Sequence, residues 1–522
     1  MADDQPYGTE PDTGTEQIRI LPQQSAPPDR SRAVAVALLN LSGLGLGYVV
    51  MRRWLAAVLC WIATGILLLA ALPADPNGVP AGMLISYLIF LGLCVVHGAF
   101  RGLRTSLTWP RRSSVAAVLA LVLLAVPGGG VVLYDQARAE AIQQMLLGRL
   151  NQADHILAAT KGEPFASAEP HYRAALATYR DLLDNDHDSR AGKLVPDRLA
   201  VFFQTVAAPY AQHEYCDAIA PLTYLRTLPR AIGTSDLGSL ATWPDDRLAT
   251  SLYQCGVAGL GSADDNSMTT DLGQLLTTFP TSSQAAEVEP AVASAIKTAS
   301  AGIHGSDPCG ATTRLRTLGT QASALPGDKA GVAATLRKDA ATANHGVESG
   351  TYACGVAQYK KADFSDAQST MSTFVSTYPH DPNLALAKKF VIAAQVADQE
   401  PAAGKIIPTL TSGGSVSVTI LNDSPDSIQI LYTGPATGSV TIGACGKCTT
   451  YLDEQEGQQY ACTDSSINYP QVTISLPPGT TYFLHQNSDD LGATPYTYSE
   501  HYDSGDIYSD CAYETDADGS GV

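Results

Sequence analysis

Apolar positions are crowded into four stretches near the start of the chain: Ala33–Val50, Trp54–Leu72, Gly82–Phe100 and Val115–Leu133. Each is close to the ~20 residues that an α-helix needs to cross a hydrocarbon core. The second, third and fourth contain no Asp, Glu, Lys or Arg. Three such runs in succession predict a transmembrane region of three to four helices over residues 32–134. The first stretch carries the run Asn40-Leu-Ser-Gly-Leu-Gly-Leu-Gly-Tyr48, and glycine weakens a lipid-facing helix. Two readings stand for it. A span puts the N-terminus outside; a re-entrant hairpin keeps it inside, provided that protein covers the backbone at depth. No strand precedes Gly43, Gly45 and Gly47, so their use is close helix packing and not a nucleotide loop. Residues 1–31 hold prolines, acids and amides with few large apolar groups, the composition of a disordered tail.

After Tyr134 the pattern turns helical. Ile142, Leu146, Leu150, Ala153 and Leu157 share one face, predicting a stalk helix that continues from the fourth span. That stripe needs cover from the next helix or from a second copy of the chain, which makes homo-oligomerisation through the stalk an expectation. In Tyr172–Leu183, Ala175, Tyr179 and Leu182 fall on one side. Gly355, Phe364, Ala367 and Pro379 stand at the offsets of the glycine, aromatic, small residue and closing proline of tetratricopeptide repeats. Residues 135–398 therefore resemble a tetratricopeptide-like helical array, one unit well and 166–186 in part.

The same region repeats itself. Tyr253-Gln-Cys255-Gly-Val-Ala258 returns as Tyr352-Ala-Cys354-Gly-Val-Ala357, and Thr278-Phe-Pro280 as Thr377-Tyr-Pro379. Cys216-Asp-Ala218 with Leu225-Arg-Thr-Leu228 returns as Cys309-Gly-Ala311 with Leu315-Arg-Thr-Leu318. Two tandem copies are expected, about 210–290 and 305–397, stacked as an array with a binding groove. After a linker at 399–414 the period becomes two. Val416, Val418 and Ile420, then Ile428, Ile430 and Tyr432, alternate with polar residues, and further strands read as 438–443, 471–476 and 480–486. Turn signals separate them, so 415–513 is expected to be a small β-sandwich, followed by an acidic tail at 514–522. The expected fold class is multi-domain α + β: transmembrane helices, an all-α ectodomain and a disulfide-bonded β-sandwich.

Charge sets orientation. Arg52 and Arg53 follow the first stretch, and Arg101, Arg104, Arg111 and Arg112 follow the third, whereas the Pro73–Pro80 loop has one acid and no base. The positive-inside tendency puts the arginines in the cytoplasm and everything after Tyr134 outside it. The formal net charge of −19 repels nucleic acid. The last arginine is Arg337, and beyond Lys405 the sole lysine is Lys447.

Of ten cysteines, Cys60 and Cys94 fall in membrane stretches and read as packing residues. Cys216, Cys255, Cys309 and Cys354 fall in the helical region, and Cys445, Cys448, Cys462 and Cys511 in the β region. Even numbers per region outside the cytoplasm argue for disulfides. The duplication favours Cys216–Cys255 and Cys309–Cys354, with crossed pairing left to geometry. In the β region the connectivity is open. A four-thiolate zinc site has the wrong spacing for a ribbon, and a thioredoxin-type pair lacks a helix start.

No nucleophile elbow, metal helix or phosphate loop is present in context, so no catalytic, cofactor-binding or metal-ligating set is expected. His213-Glu214 lacks a second histidine. Asp184, Asp186, His187 and Asp188 read as a solvated turn. Asp503-Ser-Gly-Asp506 and Asp516-Ala-Asp518-Gly are similar to calcium loops, but the second lacks the closing glutamate of an EF-hand. The expected role is a non-enzymatic, membrane-anchored envelope protein that contacts the lipid bilayer and an envelope protein partner. The alternatives are a sensor for a small ligand, glycan or calcium, and an unrecognised hydrolase. The alanine-rich, lysine-poor chain resembles uncharacterised membrane-anchored proteins of actinobacteria, which implies a multi-pass plasma-membrane location.

Overall fold

The computed structural model describes residues 30–72, 75–104, 113–262, 267–487 and 495–515. Arg111, Arg112, Asp516, Asp518 and nearly all of the expected N-terminal tail lie outside the described residues. The chain divides into two compact units, Met1–Thr205 and Val206–Val522.

In the first unit the apolar stretches become α1 (Arg30–Leu41), α2 (Leu46–Val50), α3 (Trp54–Ala71), α4 (Ala81–Gly102) and the start of α5 (Ser113–Ala159). Three helices are long and apolar enough to cross a membrane: Trp54–Ala71, Ala81–Gly102 and the apolar part of α5. Their outward faces are bare hydrocarbon; Leu55 is 86% exposed and Leu69 74%. Such area stays in contact with water only at a cost of roughly 25 cal/mol per Å², a cost that contact with lipid removes.

The stretch Ala33–Val50 is not one helix. The chain turns where Gly43 (φ +74°) and Gly45 (φ +61°) adopt left-handed conformations, which residues with a side chain rarely enter. A Cβ on Gly45 would also stand 2.8 Å from the Cβ of Cys60. The turn frees backbone carbonyls, and α3 supplies donors for them: Thr64 Oγ1 bonds Gly43 O at 2.6 Å and Trp61 Nε1 bonds Leu44 O at 2.7 Å. Asn40 Nδ2 and the Tyr48 hydroxyl both donate to Cys94 O. Gly102 leaves room for Ala33, and Gly98 for Val36 and Asn40. α1 therefore starts beside the end of α4 and reaches only to about Cys94 before turning back. The glycines serve close packing, as their setting suggested, but through a turn and not a span.

α5 continues without a break into the stalk. Leu146, Leu150, Ala153 and Leu157 are buried under α6 (Phe165–Asp186) and α7 (Arg190–Val206). The Tyr179 hydroxyl donates to Asp154 Oδ1 at 2.7 Å, and Arg198 pairs with the other oxygen at 3.0 Å. Arg190 grips Glu140 with two bonds of 2.8 and 2.9 Å. Cover for the stripe thus comes from the same chain. Near the top of α4, Arg138 Nε donates to Pro76 O at 3.2 Å, so the loop before α4 lies beside the stalk just past Tyr134.

The second unit repeats one order of helices. α8 (Tyr215–Thr227), α9 (Trp243–Ala258), α10 (Ser267–Thr278) and α11 (Ser283–Gly302) are followed by α12 (Pro308–Ala324), α13 (Ala333–Lys360), α14 (Phe364–Thr377) and α15 (Leu384–Gln399). Equivalent glycines make equivalent contacts. A Cβ on Gly256 would come within 2.6 Å of Leu272 on the next helix, and one on Gly355 within 2.9 Å of Met371. Before α8 and α14 the chain turns through a left-handed residue, His213 (φ +63°) and Ala362 (φ +64°). Each is followed by an aromatic and then a buried alanine: Tyr215 with Ala218, and Phe364 with Ala367.

The strands are β1 (Val416–Asp423), β2 (Ile428–Thr433), β3 (Gly438–Ile442), β4 (Gln471–Leu476), β5 (Gly479–Asn487), β6 (Tyr496–Tyr502) and β7 (Ile507–Tyr513). They form sheets of order β4-β1-β7 and β3-β2-β5-β6. β1 pairs with β7 in parallel and with β4 antiparallel. One apolar cluster draws on both sheets, from Val416, Val418 and Ile420 to Ile430, Phe483 and Ala512. Alternation sends Leu431 and Leu484 to the opposite face, where they join Phe390 and Ala394 of α15 in a second cluster. The 399–414 linker is pinned at its start: Ala403 is buried and the Tyr359 hydroxyl donates to Ile406 O at 3.0 Å. The sequence pattern did not mark β6 and β7, nor α16 (Glu454–Tyr460). That helix begins with reciprocal capping: Asp453 Oδ1 accepts from Glu456 N, and Glu456 Oε2 from Leu452 N.

The turn at Gly43–Gly45 is open to test. Thr64→Val leaves a carbonyl unpaired at depth and should lower detergent-solubilised stability by about 1–3 kcal/mol. Gly45→Val adds left-handed strain to a clash and should cost more than Thr64→Val. Thermal aggregation profiles of the purified variants check the order, and unchanged profiles would count against the packed turn.

Candidate functional site

The eight cysteines outside the apolar helices are all in disulfides. Cys216 at the start of α8 is bonded to Cys255 late in α9, with Cα atoms 5.0 Å apart. Cys309 at the start of α12 is bonded to Cys354 in α13, at 4.6 Å. Each helical copy is closed within itself. Cys445 pairs with Cys448 and Cys462 with Cys511. Cys60 and Cys94 remain free and buried, with their sulfurs 3.6 Å apart.

The two bridges of the β region flank one carboxylate. β1 ends at Asp423, which is 3% exposed. An Asp423 oxygen lies within 4.8 Å of both sulfurs of Cys462–Cys511, and an Asp423 oxygen likewise within 4.8 Å of both sulfurs of Cys445–Cys448. Asp423 Oδ2 accepts from the Tyr451 hydroxyl at 2.8 Å and from Cys462 N at 2.6 Å. Desolvation and this carboxylate together push the Tyr451 hydroxyl well above its ordinary range. Parallel register explains the meeting: β7 places Cys511 opposite Leu421 and Tyr513 opposite Asp423. Beside it, Asn422 Nδ2 donates to Asp426 O and Gly443 O, and Ser424 Oγ to Glu514 Oε2 at 2.7 Å. These bonds fix the segment between β1 and β2 and the approach to Cys445. Asp423 with either cysteine pair has the compactness of a metal site, but sulfurs joined to each other are not thiolate donors.

A second polar group lies between β5, β6 and β7. His485 is 2% exposed and touches the Tyr496 hydroxyl through Nδ1 at 2.5 Å, while Nε2 has no partner. The Tyr498 hydroxyl donates to Asp510 Oδ2. Burial depresses the His485 ring to about 3 and raises the Asp510 carboxyl to about 6. Both groups are thereby held in their neutral forms over part of the acid range.

Other candidates stand apart. His187 Nε2 is 3.2 Å from Asp188 on an exposed turn, and Asp184 pairs with Arg180 at 3.3 Å. His213 bonds the Tyr215 hydroxyl at 2.8 Å. Asp503 and Asp506 form the connection between β6 and β7, where Gly505 has φ +101° and the Asp503 amide donates to the Tyr508 hydroxyl. Sequence reasoning missed Asp423, Tyr451, His485, Tyr496 and Asp510. Their available signal was alternation: Tyr496, Tyr498 and Tyr502 share one side of β6, and Tyr508, Asp510 and Ala512 one side of β7. No family model, curated protein or solved structure matches the chain.

The buried pair predicts opposed pH effects. His485 stabilises the fold above its unfolded value near 6.5, and that contribution is lost as pH falls toward about 3. Asp510 stabilises it below about 4, and that contribution is lost as pH rises through about 6. Asp510→Asn should therefore steepen the gain in stability between pH 4 and 6.5, by about 1–2 kcal/mol across that range. Melting curves of the variant at several pH values check this, and a slope equal to that of the parent would contradict it.

Proposed function

We propose that this is a membrane-anchored envelope protein whose ectodomain, a tetratricopeptide-like helical array joined to a β-sandwich, binds another envelope protein and performs no catalysis. The observation that carries the reading is the division of the cysteines. Every cysteine outside the apolar helices is bridged and both within them are free, as expected for a chain whose large C-terminal part occupies an oxidising space. Orientation is supported by charge. Arg30 and Arg32 open α1, Arg52 and Arg53 follow α2, and Arg101 and Arg104 close α4. With α1 and α2 folded back on themselves, all six belong to one side, the cytoplasm under the positive-inside tendency. Three crossings then carry the chain out at α5. The contact of Arg138 with Pro76 agrees, since it joins the loop between α3 and α4 to the far end of that span.

The array reading rests on the repeated helix order, the paired glycine contacts at Gly256 and Gly355, and the left-handed turns at His213 and Ala362. Units of this kind bury their faces against neighbours and leave an extended surface for a partner. The two-sheet reading rests on the apolar cluster shared by all seven strands. Packing of α15 on β2 and β5 makes the array and the sheets one body for presentation.

Crosslinking in intact cells, followed by purification of the chain and identification of its adducts, is the test. A specific envelope protein recovered with the full chain, and lost when the second helical copy is deleted, is the expected result. Recovery of lipids or glycans alone would favour a sensor and contradict the scaffold.

A further inference from the structure

The first helical copy carries an arginine that the packing shared with the second does not call for. Arg247 stands six residues before Tyr253, and the position six before Tyr352 is Gly346. By the same alignment Trp243 corresponds to Thr342, and Tyr210, six before Cys216, to Ile303, six before Cys309. In the second copy Ile303 is buried, and a Cβ on Gly346 would come within 3.0 Å of Leu315. In the first copy the same positions make a stack. The Arg247 guanidinium lies 3.8 Å from the centre of the Trp243 ring and 5.9 Å from that of Tyr210. Its Nη1 donates to Trp243 O at 2.9 Å. Tyr215 packs edge-on against Tyr210, and its hydroxyl bonds His213.

Stacking fixes the plane of a guanidinium without using its N–H groups. Nε and Nη2 of Arg247 have no hydrogen-bond partner among the described residues, and neither is enclosed. Those two nitrogens share one edge of the fork, the edge that can give parallel bonds to both oxygens of a carboxylate. Within the chain no carboxylate pairs with it among the described residues. Asp245 is held by Arg226 at 2.7 Å, and Asp246 accepts from Gln284 Nε2 at 3.2 Å. A half-buried cation held flat by two rings is thus left without a counter-ion in a chain of formal net charge −19.

We propose that Arg247, stacked on Trp243 and Tyr210, is a carboxylate-binding site that receives an acidic side chain or the free C-terminus of a bound peptide segment. The fork supplies two charge-assisted bonds in a fixed plane, and the exposed parts of the surrounding rings offer contact area to apolar groups next to the carboxylate. That the carboxylate belongs to a peptide rests on the protein-binding reading above; the carboxylate preference itself rests only on the stack and its open edge.

Arginine modification by phenylglyoxal, followed residue by residue through peptide masses, tests this on the full chain in detergent. The probe is a short fluorescein-labelled peptide of alternating glutamate and leucine, compared with its glutamine counterpart, its C-terminal amide and polygalacturonate. The glutamate peptide should slow modification of Arg247 several-fold and leave that of Arg337, on the second copy, unchanged; the glutamine amide should protect neither. Protection that survives amidation assigns a side-chain carboxylate, and protection lost on amidation assigns the C-terminus. By fluorescence polarisation, Arg247→Gln should weaken binding of the glutamate peptide by about tenfold or more. Arg247→Lys should restore only part of it, because an ammonium lacks the planar fork, and an unchanged melting temperature reports a retained fold. Equal binding by Arg247→Gln and the parent would overturn the site, as would no protection by any carboxylate. Protection by polygalacturonate alone would overturn the peptide assignment. A crosslinked envelope protein still recovered in either case leaves the protein-binding reading standing, so the two fail separately.

Discussion

A chain that turns back inside an apolar bundle must find hydrogen-bond partners for the carbonyls its turn exposes, because lipid offers none. At Gly43 and Leu44 those partners are Thr64 and Trp61 of the adjoining helix. The arrangement decides whether the first stretch can count as a crossing. With the first stretch folded into a hairpin, three apolar helices remain to cross. In the proposed orientation, an odd number of crossings sends the stalk and all that follows to the side opposite the arginines. The disulfides support that proposed placement, since such bridges persist in an oxidising space. Had the same stretch formed one continuous helix, only the segment before it would change sides.

Beyond the stalk, repetition and covalent closure reinforce each other. Each helical copy holds one bridge between its first and second helices, and each uses a glycine after the second cysteine to let the third helix approach. Closing a loop of that length contributes on the order of 3–4 kcal/mol in the chain-entropy model. That matters in copies rich in alanine, whose helices bury little area per contact. The second copy gains further support because α15 also serves as cover for β2 and β5 through Phe390, Leu431 and Leu484. Gln395 extends the seam to Gln486 at 2.9 Å.

What could be read from the sequence was what local period and covalent spacing dictate. Uncharged runs marked Trp54–Ala71 and Ala81–Gly102, and alternation marked β1 and β2, because one face of each is apolar throughout. The break at Gly43 stayed ambiguous, since its stability depends on donors supplied by residues some twenty positions away. β6 and β7 escaped because their inward faces carry Tyr496, Tyr498 and Asp510 in place of aliphatic residues. The carboxylate at Asp423 was invisible for a different reason. Its neighbours Tyr451, Cys462 and Cys511 reach it through a parallel pairing of β1 with the last strand, and no local pattern encodes a crossover of that length. Among the candidate residues, the spacing of duplicated motifs was informative about the helical bridges, whereas the partners of Cys445 and Cys462 depended on tertiary placement.

Parity is the most exposed link in this account. A protease-cleavable tag placed before Arg30 and another within the exposed residues after Ile406 can be challenged in right-side-out and inverted vesicles. The account predicts opposite behaviour: the first tag is cut only in inverted vesicles and the second only in right-side-out ones. If both tags were cut only in right-side-out vesicles, the first stretch would be a crossing and the hairpin would be contradicted; if the second tag were cut only in inverted vesicles, the orientation and the envelope role would be.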